Sequence, residues 1–160
     1  MPTALAELAA FTKKALAHAL GKPQAYDEIR KVLQAGLGQT TNPPLAGCSF
    51  TIGAEAANVI NVVVQLVDGY GTDMAERSVV DYYLSSDTNG DTLAADPGTT
   101  AIGTDGTILV EYTDDLVGKA ISEADGDIDF NVTHTGTSTF YLNIVLPNGK
   151  KKTSAAITFA

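Results

Sequence analysis

The acidic stretches are where this chain could do chemistry. Asp87-x-Asn89-Gly90-Asp91 matches the first three ligand positions of a calcium loop. Side-chain oxygens at alternate positions of a tight loop can converge on one hard cation. The rest of the pattern fails, because Thr92 stands where the loop needs glycine and Gly98 where it needs a bidentate glutamate. A polar turn is the expected reading, with no metal and no cofactor; Asp87, Asn89 and Asp91 are the residues that would hold a cation if the loop did. Asp125, Asp127 and Asp129 alternate along a strand, so they share one outward face and read as a solubilising row. His18 and His134 have no Cys, Asp or second His at ligand or triad spacing. Cys48 is the only cysteine and reads as a buried structural thiol at a strand start. There is no G-x-S-x-G, no P-loop and no dinucleotide fingerprint. The expectation is a protein that is not an enzyme.

The elements that would carry these residues are mostly strands. The C-terminal segment reads T-F-Y-L-N-I-V-L, P-N-G-K, K-K-T-S-A-A-I-T-F. Phe140, Leu142, Ile144 and Leu146 alternate with Tyr141, Asn143 and Val145, the period of a half-buried strand. Asn148-Gly149 predicts a two-residue hairpin turn, since both central residues of such a turn need positive φ. That turn pairs Ile144 with Thr153, Leu142 with Ala155 and Phe140 with Ile157. Asn143 then faces outward, where truncation to alanine should cost under about 0.5 kcal/mol. Upstream, strands are predicted over Cys48–Ile52, Asn58–Val67, Ser78–Ser85, Thr107–Tyr112, Lys119–Glu123 and Asp127–Thr133. The inward rows are Ile60, Val62, Val64 and Leu66; Val80, Tyr82 and Leu84; and Ile128, Phe130 and Val132. Ser86–Asp105 reads as one long loop, and Asp125-Gly126 as a second hairpin turn. About eight strands with regular turn signals predict a mainly β domain, an antiparallel immunoglobulin-like β-sandwich, over residues 48–160.

Residues 1–47 read differently, as a two-helix N-terminal arm. A first helix is predicted over 3–20, striped by Leu5, Leu8, Leu16 and Leu20 with Phe11 at the edge. A second is predicted over 24–34, with Tyr26, Ile29 and Leu33 on one face. A segment this short cannot bury both stripes alone. These eight residues must therefore pack on the β domain, on another copy or on a partner, and contact with another copy or a partner is the expectation. Gly36, Gly38 and Pro43-Pro44 supply a linker that favours an extended path.

Charge separates the two parts as well. Residues 1–47 hold five Lys/Arg and three Asp/Glu, net +2, and residues 48–160 hold five and sixteen, net −11. The overall charge of −9 excludes nucleic acid as the expected partner. No run of about 18 apolar residues occurs, so no membrane span is expected. The start lacks the basic segment of a signal peptide, and Glu7 interrupts its apolar run.

Several runs resemble small structural proteins of tailed-phage particles. They are A-I-G-T-D-G-T-I-L-V at 101–110, S-E-A-D-G-D-I-D-F-N-V-T at 122–133, T-F-Y-L-N-I-V-L-P-N-G-K at 139–150 and S-A-A-I-T-F-A at 154–160. Y-L-S-S-D-T-N-G-D at 83–91 belongs to the same pattern, and the resemblance spans residues 58–160. It implies a virion component with an immunoglobulin-like domain, of the head decoration or cement type. Such a protein assembles in the host cytoplasm and sits on the phage head exterior. Its partners are the major capsid protein and its own copies, often as a homotrimer. The alternative is a tail or fibre accessory module contacting a host surface through the Ser86–Asp105 loop. These motifs are turns and strands, so they carry no catalytic residues over.

Overall fold

A computed structural model describes residues 44–160, and the predicted helices of 3–20 and 24–34 lie outside these described residues. The described residues belong to one compact unit. Ten strands run in chain order: β1 Leu45–Ile52, β2 Val59–Asp68, β3 Val79–Ser85, β4 Thr99–Ile102, β5 Thr107–Thr113, β6 Val117–Ile121, β7 Asp127–Thr133, β8 Ser138–Val145, β9 Lys151–Thr153 and β10 Ile157–Phe159. No helix occurs among the described residues.

The strands form two sheets with antiparallel pairings. One has the order β1-β2-β7-β4, the other β10-β8-β3-β6-β5, with β9 also on β8. Alternation along each strand sends one row into a shared core. Val62, Val64, Leu66, Ile128, Phe130 and Val132 come from the first sheet; Tyr82, Leu84, Leu142, Ile144, Ile157 and Phe159 come from the second, and all are fully buried. The Tyr82 and Phe130 rings meet across the gap with centroids 4.9 Å apart. The inward rows of β2, β3, β7 and β8 are therefore those predicted.

Four expectations change. First, β1 begins at Leu45, because Leu45 is buried in the core and Gly47 pairs with Val67. Leu45 to Gly47 thus belong to the sheet and not to a linker. Second, Ser86–Asp105 is not one loop: Thr99–Ile102 pairs with β7 as β4. Third, the Asn148-Gly149 turn is a three-residue loop. Gly149 N–H donates to the Leu146 carbonyl at 2.8 Å, and Leu146 N–H to the Lys150 carbonyl at 2.9 Å. Only Gly149 has positive φ, at 78°, and Pro147 suits the first central position of a type I turn. The register therefore moves by one, pairing Ile144 with Lys152 and Asn143 with Thr153. A break at Ser154–Ala156 restores the predicted pairing of Phe140 with Ile157. Fourth, Asp125-Gly126 is not a hairpin turn within a sheet, because β6 and β7 belong to different sheets. A two-residue turn with both φ positive occurs elsewhere, at Ala57 (52°) and Asn58 (65°), between β1 and β2.

Candidate functional site

Three surface groups carry the residues singled out by their chemistry. The first is the loop after β3. Asp87 accepts hydrogen bonds from the Asn89 amide at 2.9 Å, the Asp91 amide at 3.2 Å and the Thr92 amide at 2.7 Å. Desolvation pushes the Asp87 carboxyl up, but the Asp91 and Thr92 amides, the Thr92 hydroxyl and the Asn89 amide outweigh it and hold it below its ordinary value. The Tyr83 hydroxyl donates to the Gly90 carbonyl at 2.7 Å. Lys151 Nζ donates to the Asn89 carbonyl and to the Gly90 carbonyl at 3.3 Å, and lies 3.7 Å from Asp91 Oδ1. Asp87 thus holds its own backbone through the amides of residues 89, 91 and 92, and Asp91 is paired with Lys151. The loop folds down onto β8, where Gly90 leaves no room for a side chain: an added Cβ would sit 2.2 Å from Asn143 Oδ1.

Asn143 is the residue that alternation misplaced. It is buried, at 0% exposure. Its Nδ2 donates to Ser85 Oγ at 2.8 Å and to the Tyr141 carbonyl at 3.1 Å, and its Oδ1 accepts from the Thr153 hydroxyl at 2.7 Å. The outer face of β8 is therefore a covered polar network. A polar residue within F-Y-L-N-I-V-L was the signal, but its cover comes from a distant loop.

The second group is acidic. Asp73, Asp105, Glu123, Asp125 and Asp127 line an open concavity of about 780 Å³ together with Gln65, Met74 and Ala75. The β2–β3, β4–β5 and β6–β7 connections meet there, at one end of the two sheets. Asp127 Oδ1 is buried and has no hydrogen-bond partner. Desolvation, and then the charges of Asp125, Asp105, Asp129 and Asp73, raise its carboxyl above the ordinary value. Asp129 is held differently, accepting from the Thr104 hydroxyl at 2.6 Å. The Asp125–Asp129 row is thus not uniform: Asp127 turns into the concavity. Among the described residues, no three His, Cys, Asp or Glu side chains are set to hold a metal ion.

The third group is apolar. Leu109, Val110 and Tyr112 are exposed by 51%, 40% and 60% on β5, the edge strand of its sheet. Two register shifts interrupt its pairing with β6, one between Ile108 and Val110 and one between Glu111 and Thr113. Leu109 and Tyr112 are the residues left between paired positions. Glu111 turns the other way and accepts from the buried Tyr82 hydroxyl at 3.3 Å. Gly118 opposite makes space for that ring, since a Cβ there would lie 2.8 Å from the Tyr82 hydroxyl.

The remaining candidates stay apart. Burial pushes the Cys48 thiol up to about 11, against the opposing charge of Lys152, so it is not a thiolate at neutral pH. His134 packs edge-on against Phe140 at 5.1 Å and Phe159 at 5.6 Å. The arm residues Leu5, Leu8, Phe11, Leu16, Leu20, Tyr26, Ile29 and Leu33 lie outside the described residues. No family model matches this chain, and searches of curated proteins and of solved structures return no match.

Proposed function

We propose that this chain is a non-enzymatic structural protein of the tailed-phage particle, a head decoration protein that binds the assembled shell. The supporting observation is the split of charge along the sequence, between an acidic β domain and an N-terminal stretch of helical apolar spacing. Residues 44–160 carry five basic and sixteen acidic side chains, net −11, and residues 1–43 carry five and three, net +2. An acidic body projecting from the shell keeps particles mutually repulsive and soluble. The apolar stripe of the segment attaches to the major capsid protein or to neighbouring copies, as in a homotrimer. A protein that binds only the assembled shell stabilises it by mass action.

The same reading makes the sandwich immunoglobulin-like. The order β1-β2-β7-β4 corresponds to A-B-E-D, and β3, β8 and the β9/β10 pair correspond to C, F and G. The β5–β6 hairpin is then an addition on the C side. The alternative is a tail or fibre accessory module that contacts a host surface through Ser86–Asp105. That segment is held by Lys151, by burial of Ala94 and by pairing of β4.

The test is binding to particles stripped of the protein. Full-length chain should rebind, whereas a chain lacking residues 1–43 should melt cooperatively yet fail to rebind. Normal rebinding by the shortened chain would refute the role given to the segment.

A further inference from the structure

We propose that the free edge of β1 is a homodimer interface, where β1 of one copy pairs antiparallel with β1 of a second. The inference stands whether or not the chain belongs to a virion. The first sheet ends at β1, which pairs with β2 alone. In the β1–β2 register the Gly53 amide donates to the Asn61 carbonyl at 2.8 Å. On the far side of β2 the Leu66 amide donates to the Gly126 carbonyl at 3.0 Å. Bonding direction alternates along a strand, so Ser49 and Thr51 bond β2, while Cys48, Phe50 and Ile52 turn their N–H and C=O groups to the open side. No hydrogen bond from another described residue reaches those groups. The other edges are protected by the usual devices of shortness and bulges. β4 has four residues, β9 and β10 have three each, and two register shifts interrupt β5. β1 pairs without interruption from Gly47 to Ile52 and holds no lysine or proline there. Such an edge is a template for an added strand.

Charge and symmetry select the occupant. Residues 44–54 contain no Asp, Glu, Lys, Arg or His, and neither does the outward row of β2, Val59, Asn61, Val63, Gln65 and Val67. Asp127 and Asp129 of β7 lie two strands in from the edge. Across a β1-to-β1 junction they would stand about 24 Å from their own copies, at ~4.8 Å per strand, well beyond the ~8 Å screening length at physiological salt. Lys152 of β9 lies close enough to act on the Cys48 thiol, and a lysine beside the edge attracts a second acidic body. Glu55, which accepts from the Ala160 amide at 3.0 Å, would face the uncharged Leu45 of the second copy. Two bodies of net −11 therefore meet at least cost along β1. Centring the pair on Phe50 sets Phe50 opposite its own copy and Cys48 opposite Ile52, so all three free residues exchange bonds under one two-fold axis. The same register covers Cys48, Phe50 and Ile52, which are half-buried at the rim of the core.

The experiment uses the full-length protein in a Cys48→Ser background. Ser49 and Thr51 are exposed, and this register makes them direct opposites, a non-hydrogen-bonded pair with Cα atoms about 4.5 Å apart. Ser49→Cys and Thr51→Cys chains, one of them ¹⁵N-labelled, are mixed in glutathione buffer. Disulfides joining 49 to 51 between isotopes should exceed 49-to-49 and 51-to-51 products by roughly tenfold or more, because diagonal positions stand about 7–8 Å apart. A chain with Ser49→Glu and Thr51→Glu, its fold checked by thermal melt, should lose self-association in sedimentation by roughly tenfold or more, since like charges then oppose directly. Mixing it with a chain carrying Ser49→Lys and Thr51→Lys should restore the dimer. If either charged chain fails to fold, the disulfide ratio decides alone. Equal yields across the three pairings, or no disulfide, would overturn the proposal. So would unchanged self-association of the folded acidic variant.

Discussion

Replacing Asn143 by alanine should destabilise the β domain by about 2–4 kcal/mol. The change removes the two bonds donated by Nδ2, to Ser85 Oγ and the Tyr141 carbonyl, and the one accepted by Oδ1 from Thr153. Each such bond contributes roughly 0.5–1.5 kcal/mol net, and a buried group left unpaired costs roughly 1–3 kcal/mol more. Ser85 Oγ keeps its bond to the Asp87 carbonyl at 2.9 Å, and Thr153 is half-buried, so the loss comes mainly from the three bonds removed. The loop above also loses its support, because Gly90 packs directly on the amide. For a domain of this size, a loss of 3 kcal/mol lowers the melting temperature by on the order of 10 °C. Urea titration and thermal melts of the variant measure both quantities. Phe140→Ala, which empties a site between His134 and Phe159, serves as the core reference at about 3–5 kcal/mol. A loss under about 0.5 kcal/mol for Asn143→Ala would refute the covered network and restore the outward placement that alternation implies.

Three further outcomes are expected. The Asp127 carboxyl is raised in the folded state, so the folded chain binds more protons than the unfolded one, and the resulting penalty grows as pH rises from the ordinary aspartate value through the raised one. Asp127→Asn should therefore raise the melting temperature at about pH 7 and have little effect at about pH 3; an equal effect at both would exclude titration as the cause. Chelator should leave the melt unchanged because the Asp87 carboxylate is taken up by the amides of residues 89, 91 and 92, whereas Gly90→Ala should destabilise strongly, its φ of 68° and the 2.2 Å approach to Asn143 both opposing a side chain. A chelator-induced drop abolished by Asp91→Ala would identify a metal site there. Ala57→Gly should stabilise by roughly 1 kcal/mol, since φ of 52° is strained for alanine; a loss in thermal melts would show that the strain is relieved locally.

What could be read from the sequence follows from the length of each signal. β2, β3, β7 and β8 hold three or more alternating apolar residues, enough to fix both element and inward face. β4 is four residues, T-T-A-I, in which only Thr100 is buried and Ile102 half-buried. No alternation can emerge from so short a run, and pairing with β7 makes it a strand. The two turn signals, Asn148-Gly149 and Asp125-Gly126, located turns but not their type. Pro147 biases the first toward a type I turn with a left-handed glycine, which shifts the register. β1 was placed three residues late because Leu45-Ala46-Gly47 follows Pro43-Pro44 and resembles linker in composition. Burial of Asn143 and the inward turn of Asp127 were illegible for a different reason. Both depend on loops remote in sequence, and strand periodicity holds no information about what covers a sheet's outer face. The β5 strip was read as an ordinary strand, because bulges expose Leu109 and Tyr112 without altering the local composition.

The proposed placement on the phage head is tested most directly by counting copies of the chain in purified particles with isotope-standard mass spectrometry. Many copies per particle, in proportion to the major capsid protein, are expected of a shell decoration. Absence from particles would contradict the virion role, and a few copies matching the tail's symmetry would move the protein off the head.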